Sequence, residues 1–214
     1  PSADGFAEVL ADGLYVDKSE LIGYINDVLG TSRKLTASTR PRRFGKSFAA
    51  KMLAAYYSKG ADSRSLFKNL KISKLDCLRR EDAIRRDKPN DWKSARFEEH
   101  LNKHDVLFID VASFISTVDN IKNTVSDIQA DVIAELTEAY PECVRSNTKS
   151  LLKALMQVNA KTGNKFFVII DEWDALFREV KDDEKLQRDY IQFLRSIFKS
   201  VQTSQIIVGA YMTG

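Results

Sequence analysis

The chain has 214 residues, 43% of them hydrophobic and 29% charged, and a formal net charge of +3 at neutral pH. This is the composition of one globular domain with a sizeable core, and it excludes a low-complexity or disordered chain. The small charge excess does not mark a nucleic-acid binder by itself, no apolar run reaches membrane-spanning length, no secretory leader is visible, and Cys77 and Cys143 lack metal or redox spacing, so a cytoplasmic setting is expected.

Residues 1–30 read as an entry segment. In it, Asp17 followed by Glu20 reads as a capping box that starts a helix from Lys18 to about Leu29. A short strand is expected over Lys34–Thr39, then a tight turn and an alanine-rich helix over Phe48–Ser58. Phe48, Met52 and Tyr56 stand at helical spacing there, and Gly60 is the natural stop. Residues 61–104 are charged and read as irregular, with Pro89 breaking any long helix. Val106–Val111 is a second strand. Asp119–Tyr140 is an amphipathic helix closed by Pro141, and Asn147 to about Lys161 is another, stopped by Gly163. Phe166–Ile170 is an unbroken apolar run, as a strand buried on both faces requires. Glu184–Ser200 is a helix with Leu186, Tyr190, Phe193, Leu194 and Ile197 inward, and Gln205–Tyr211 is a fourth strand. Strands alternating with helices predict an α/β fold with a mainly parallel sheet, helices on both faces and a ligand at the carboxyl ends of the strands.

Two stretches at those ends carry chemistry. Arg40-Pro41-Arg42-Arg43-Phe44-Gly45-Lys46-Ser47 lies between the first strand and its helix and ends in Gly-Lys-Ser. A triphosphate needs inward-pointing backbone N–H groups over a helix N-terminus. Gly45 permits the turn, Lys46 supplies charge to the outer phosphates, and Ser47 offers a hydroxyl to Mg²⁺. The first glycine of the general G-x-x-x-x-G-K-[ST] pattern is replaced by Arg40. The second stretch is Phe166–Ile170 followed by Asp171-Glu172. Asp171 can hold Mg²⁺, and Glu172 can accept a proton from an attacking water, which points to hydrolysis rather than transfer to a hydroxyl. ATP and Mg²⁺ are therefore the expected ligands. The candidate nucleotide site comprises Arg42, Arg43, Phe44, Gly45, Lys46, Ser47 and Phe48.

These residues resemble the bacterial AAA-ATPase-like family, predicted P-loop ATPases with an RPRRFGKS loop. The resemblance extends to Tyr15-Val16-Asp17-Lys18-Ser19, Leu66–Ile72, Val106–Asp110, Ile170-Asp171-Glu172-Trp173-Asp174 and Met212-Thr213-Gly214, in family order along nearly the whole chain. It implies that the missing first glycine is a family trait. It implies a P-loop NTPase fold with the fourth strand between the first and third, in the order 1-4-3-2. It also implies a polar γ-phosphate sensor at Thr213. Relatives usually carry Tyr where Trp173 stands, and many continue into a restriction-endonuclease-like nuclease domain. The chain opens on Pro1 rather than Met and ends at Gly214, so the expectation is a single domain over 1–214 from a longer protein. A fifth strand normally flanks the first. Without it the first strand is an edge, to be covered by the N-terminal segment, another copy or a further part of the protein.

Several residues have two readings. Arg33–Lys51 contains no acid and seven cations, which suits a triphosphate or a nucleic-acid phosphate. Arg40 and Arg43 can also brace the loop, and Arg33 and Lys34 read as a solvated face. His100 and His104 have helical zinc spacing but no third ligand, so a solvated helix is expected. Asp110 either faces the ligand edge or caps a loop. Asp174 either supports a metal shell or caps a helix. Asp17 and Lys18 either shape an adenine pocket or serve the capping box. Arg178, Arg188 and Arg195 are candidates for an arginine finger acting in trans. The leading functional expectation is an ATPase that serves as switch or motor for an effector outside the chain. The alternative is an ATP-sensing module with negligible turnover, with or without nucleic acid.

Overall fold

A computed structural model describes residues 3–13, 15–39, 41, 43–60 and 62–214. In chain order the elements are α1 (Asp4–Ala11), α2 (Glu20–Val28), β1 (Leu35–Ser38), α3 (Lys46–Tyr57), α4 (Arg64–Phe67), α5 (Leu75–Arg85) and α6 (Phe97–His100). They continue with β2 (Asp105–Asp110), α7 (Val111–Thr117), α8 (Thr124–Ala139), α9 (Leu151–Thr162), β3 (Phe166–Asp171), α10 (Ala175–Glu179), α11 (Glu184–Phe198), α12 (Thr203–Ile206) and β4 (Ile207–Thr213). The four strands form one parallel sheet in the order β1-β4-β3-β2. This is the expected order, and the architecture is that of a P-loop NTPase fold.

The sheet divides the core in two. Phe167 and Ile169 of β3 face a cluster with α1, α2 and α3, while Phe166, Val168 and Ile170 face a cluster with α8, α9 and α11. Every residue of β3 is buried, which is why its sequence is apolar without alternation. Between β3 and β4 the register slips: Phe166 stands opposite Ile207, but Phe167 stands opposite Gly209. The extra residue, Val208, lets Ile207 share a face with Ala210 and Met212. Gly209 is needed at this point. A Cβ there would lie 2.5 Å from Leu29 Cδ2 and 2.8 Å from the Phe167 ring.

Helix α3 is buried almost all round from Ala49 to Tyr57, rather than along one stripe, and Phe48 projects into solvent. Its C-terminal end carries a buried polar knot. Asn26 Nδ2 donates to Tyr56 OH (3.1 Å) and to Ala95 O (2.7 Å). Tyr57 OH donates to Asn26 Oδ1 (2.7 Å), and Tyr56 OH donates to Phe97 O (2.7 Å). Asn26, Tyr56 and Tyr57 are fully buried, and every polar side-chain group among them is paired.

Several expectations are corrected. Helix α1 occupies part of the entry segment and packs on α3. Asp17 does not cap in a box with Glu20. Its two oxygens accept from Ser19 N (2.8 Å) and Lys71 N (2.7 Å), and Glu20 pairs with Lys71 instead (3.2 Å). Residues 61–104 contain α4, α5 and α6 and a 3₁₀ turn over Lys71–Lys74, rather than irregular chain alone. Lys34 is buried, not solvated: its ammonium donates to Ile207 O (2.8 Å) and Thr203 O (3.4 Å).

His100 and His104 are not on a solvated helix either. His100 ends α6 and is buried, and its Nδ1 lies 3.1 Å from His104 Nε2. His104 packs on Tyr57 and precedes β2, and burial pushes its pKa down to about 4, helped by His100. No cluster of three or more metal-ligating side chains occurs among the described residues. Nor is any described helix long and apolar enough to cross a membrane.

Candidate nucleotide site

The loop before α3 is shaped by two left-handed residues, Arg43 (φ 68°) and Gly45 (φ 71°). Gly45 stands at the N-cap of α3 and makes no side-chain cap bond. The first-turn N–H groups of a helix lack carbonyl partners within it, so those of Ser47 and Phe48 form a positive cradle. Lys18 braces the turn by donating its ammonium to Phe44 O. A Cβ on Gly45 would stand 3.1 Å from that ammonium, so the turn and its brace fit only glycine.

At the end of β3 the acids are held by the neighbouring strand. Thr213 OH donates to Asp171 Oδ1, and Glu172 N donates to Asp171 Oδ1 and to Thr213 Oγ1 (both 3.1 Å). Trp173 N donates to Thr213 O (2.9 Å). These bonds hold Glu172 in a left-handed conformation, φ 49°, which a non-glycine residue adopts only when its surroundings fix it. Asp171 and Thr213 are buried, whereas the Glu172 side chain is partly exposed.

The sheet order brings these two parts together. Arg43, Gly45, Lys46, Ser47, Phe48, Glu172, Asp174 and Arg178 line one cavity of about 670 Å³. Lys46 Nζ donates to Gly214 O (3.1 Å), so the lysine crosses from α3 to the end of β4. A Cβ on Gly214 would strike the Trp173 ring, which explains why that position carries no side chain. Arg40 and Arg42 lie outside the described residues.

The other candidates resolve as follows. Asp110 caps a helix rather than a loop: it accepts from Ser113 N (2.9 Å) at the start of α7, and it stands in register with Asp171. Burial raises its pKa, Ser113 N opposes this, and Asp171 and Glu172 add to the rise. Asp174 precedes α10 and binds Arg178 (2.6 Å), while its buried Oδ1 has no partner. Arg178 is placed in cis, its other nitrogen 2.5 Å from Glu172 Oε2. Arg188 pairs with Glu184 on the exposed side of α11, and Arg195 lines a groove against β1. Lys18 lines a cavity of about 330 Å³ with Tyr15, Val16, Phe44 and Phe48, beside Gly45; Asp17 is not part of it. The Arg178 contacts were missed from sequence. The Asp174–Arg178 spacing of four was the available signal, but nothing local announces the bond to Glu172.

A parallel 1-4-3-2 sheet with a glycine-turned loop over a helix N-terminus, and acids at the adjacent strand end, defines the class of P-loop NTPase folds. The chain belongs to the AAA-ATPase-like family, described as predicted AAA-ATPases, whose model matches residues 3–214. Searches of curated proteins and of solved structures found no match.

Proposed function

We propose that this protein binds Mg-ATP and hydrolyses it. The observation that carries the reading is the single cavity shared by the Gly45-Lys46-Ser47 turn and Glu172. The loop residues present backbone N–H groups and two or more cations to the phosphates. The aromatic and apolar cavity of Tyr15, Val16, Phe44 and Phe48 adjoins Gly45 and suits a base.

The donor set also fits Mg²⁺. Ser47 supplies a hydroxyl beside the phosphate cradle, and Asp171 keeps Oδ2 for the metal while Oδ1 is engaged by Thr213 and Glu172 N. Few protein ligands are expected, because Mg²⁺ on a nucleotide keeps phosphate oxygens and waters. When bound, the ion neutralises phosphate charge. Glu172 accepts the proton of the attacking water, and Thr213 positions the acid-bearing turn from the next strand.

The test is calorimetry with Lys46→Ala. Removal of the Lys46 ammonium should weaken Mg-ATP binding by about tenfold or more. Equal affinity in variant and parent would refute the site. A second reading, a nucleotide sensor with negligible turnover, is favoured by one contact: Arg178 already occupies the carboxylate of Glu172. Binding without steady-state phosphate release would select it.

A further inference from the structure

The contact between Arg178 and Glu172 has no role in phosphate binding as described above, and it blocks the group that hydrolysis needs. A carboxylate whose oxygen already accepts from a guanidinium is poorly placed to take a proton from water. The pairing is also asymmetric. Arg178 meets two carboxylates, Glu172 at 2.5 Å and Asp174 at 2.6 Å, through two different nitrogens. Asp174 precedes α10 and stands four residues before Arg178 of that helix, so the two move together, whereas Glu172 belongs to the turn before it.

All three side chains line the cavity that holds Lys46 and Ser47, and each is about one-third exposed (34%, 39% and 33% for Arg178, Glu172 and Asp174). An ion pair this accessible to water is weak, so a stronger anion can displace one of its partners. A terminal phosphate is such an anion. It offers several oxygens to a planar fork that already prefers bidentate acceptors. A diphosphate lacks that terminal group.

We propose that Arg178 is a charge switch in cis: it clamps Glu172 to Asp174 when the cavity holds no triphosphate, and it moves from Glu172 to the terminal phosphate when triphosphate binds. Asp174 remains its tether through the exchange. Glu172 is then released only when the substrate that it acts on is present. The switch rests on the nucleotide reading above and adds to it a means of telling triphosphate from diphosphate.

The experiment is calorimetry on the parent, Glu172→Gln, Arg178→Gln and the double variant, each with Mg²⁺ and either ADP or an ATP analogue with a non-hydrolysable β–γ bridge. Arg178→Gln should weaken the analogue about fivefold and leave ADP within twofold. Glu172→Gln removes the competitor for Arg178, so it should tighten the analogue about fivefold, and this gain should vanish in the Arg178→Gln background. Arg178→Lys, which keeps the charge but not the fork, should fall between parent and Arg178→Gln. The proposal is overturned if Glu172→Gln tightens the analogue equally with and without Arg178, since loss of a negative charge then explains it. It is overturned as well if Arg178→Gln weakens ADP and analogue alike. A parent that binds both nucleotides without coupling between the two positions removes the switch alone. A parent that binds neither removes the nucleotide reading with it.

Discussion

Helix α3 carries a polar network at each end, and the two are organised in opposite ways. At its C-terminal end the Asn26–Tyr56–Tyr57 knot is fully buried, and each side-chain polar group has its partner. At its N-terminal end Lys46 and Ser47 face acids that are partly exposed, backbones with positive φ at Arg43, Gly45 and Glu172, and a buried Asp174 oxygen without a partner. The first network leaves nothing for a ligand to satisfy and fixes one arrangement of the core. The second keeps donors, acceptors and backbone strain in reserve, as a binding site does. Unpaired atoms alone do not tell the two ends apart, because Ser58 Oγ and His100 Nε2 near the closed end are also buried without a hydrogen-bond partner among the described residues; the partly exposed acids and the positive-φ backbones do.

The largest effect should come from the open network. Glu172→Gln keeps the side-chain shape and removes the base, so turnover should fall by about 10²-fold or more while ATP binding persists. A phosphate-release assay with parallel calorimetry checks this, and unchanged turnover would take Glu172 out of the chemistry.

The closed network should answer in stability, with nucleotide binding unchanged. Asn26→Ala strands Tyr57 OH and Ala95 O in the interior and should cost about 2–3 kcal/mol in urea unfolding. If the loss instead appears in nucleotide affinity, the contrast between the two ends of α3 fails.

A smaller effect belongs to the histidine pair at the closed end. His104 is neutral in the fold, with its pKa near 4 against an ordinary 6.5. The unfolded chain gains a proton there as pH falls below about 6.5, and the folded chain does not until about pH 4. This contribution to stability is complete above pH 6.5 and is lost progressively between those values, about 1 kcal/mol of it by pH 5.5. Unfolding of the parent and of His104→Phe at pH 7.5, 5.5 and 4.5 should show a steeper acid slope in the parent. Parallel slopes would mean that the imidazole is solvated.

The smallest effect concerns β1. Ala210 N donates to Lys34 O and Gly214 N to Ser38 O, so the backbone groups of Leu35 and Ala37 point away from β4. Both residues are exposed at the sheet edge. In hydrogen exchange their amides should exchange faster than those of 166–170. Equal protection in a monomer would show that something covers this edge.

What the sequence disclosed follows from the range of the interactions. Phe166–Ile170 was legible because burial on both faces leaves a wholly apolar run, and Gly45-Lys46-Ser47 because the turn imposes its own residue types. The strand order came from the family resemblance. Helix α5 was hidden, since it buries only Leu75 and Ala83 among many charges. Its anchors are distant: Asp76 accepts from Ala95 N (2.5 Å), and Arg79 pairs with Asp27 (2.9 Å). Lys34 was misread because its charge is satisfied by carbonyls that β4 and α12 bring from more than 160 residues away. Arg178 belongs to the same class, as its bond to Glu172 depends on how α10 turns back over the strand end.

The anchoring of Glu172 by Thr213 bears on how such a site can diversify. Both side-chain groups that hold the acid's amide, Asp171 Oδ1 and Thr213 Oγ1, belong to strands, and Trp173 N is tied to Thr213 O as well. The amide is set by the spacing of two neighbouring strands, while the carbonyl accepts from Ala175 N (2.9 Å) in the turn that follows. Beyond that turn, exposed Lys181 and Asp182 lie between α10 and the cap of α11, and this short stretch can drift or acquire a docking surface without moving the acid. New attachments can arise on that stretch over evolutionary time while the older chemistry beneath them is left undisturbed.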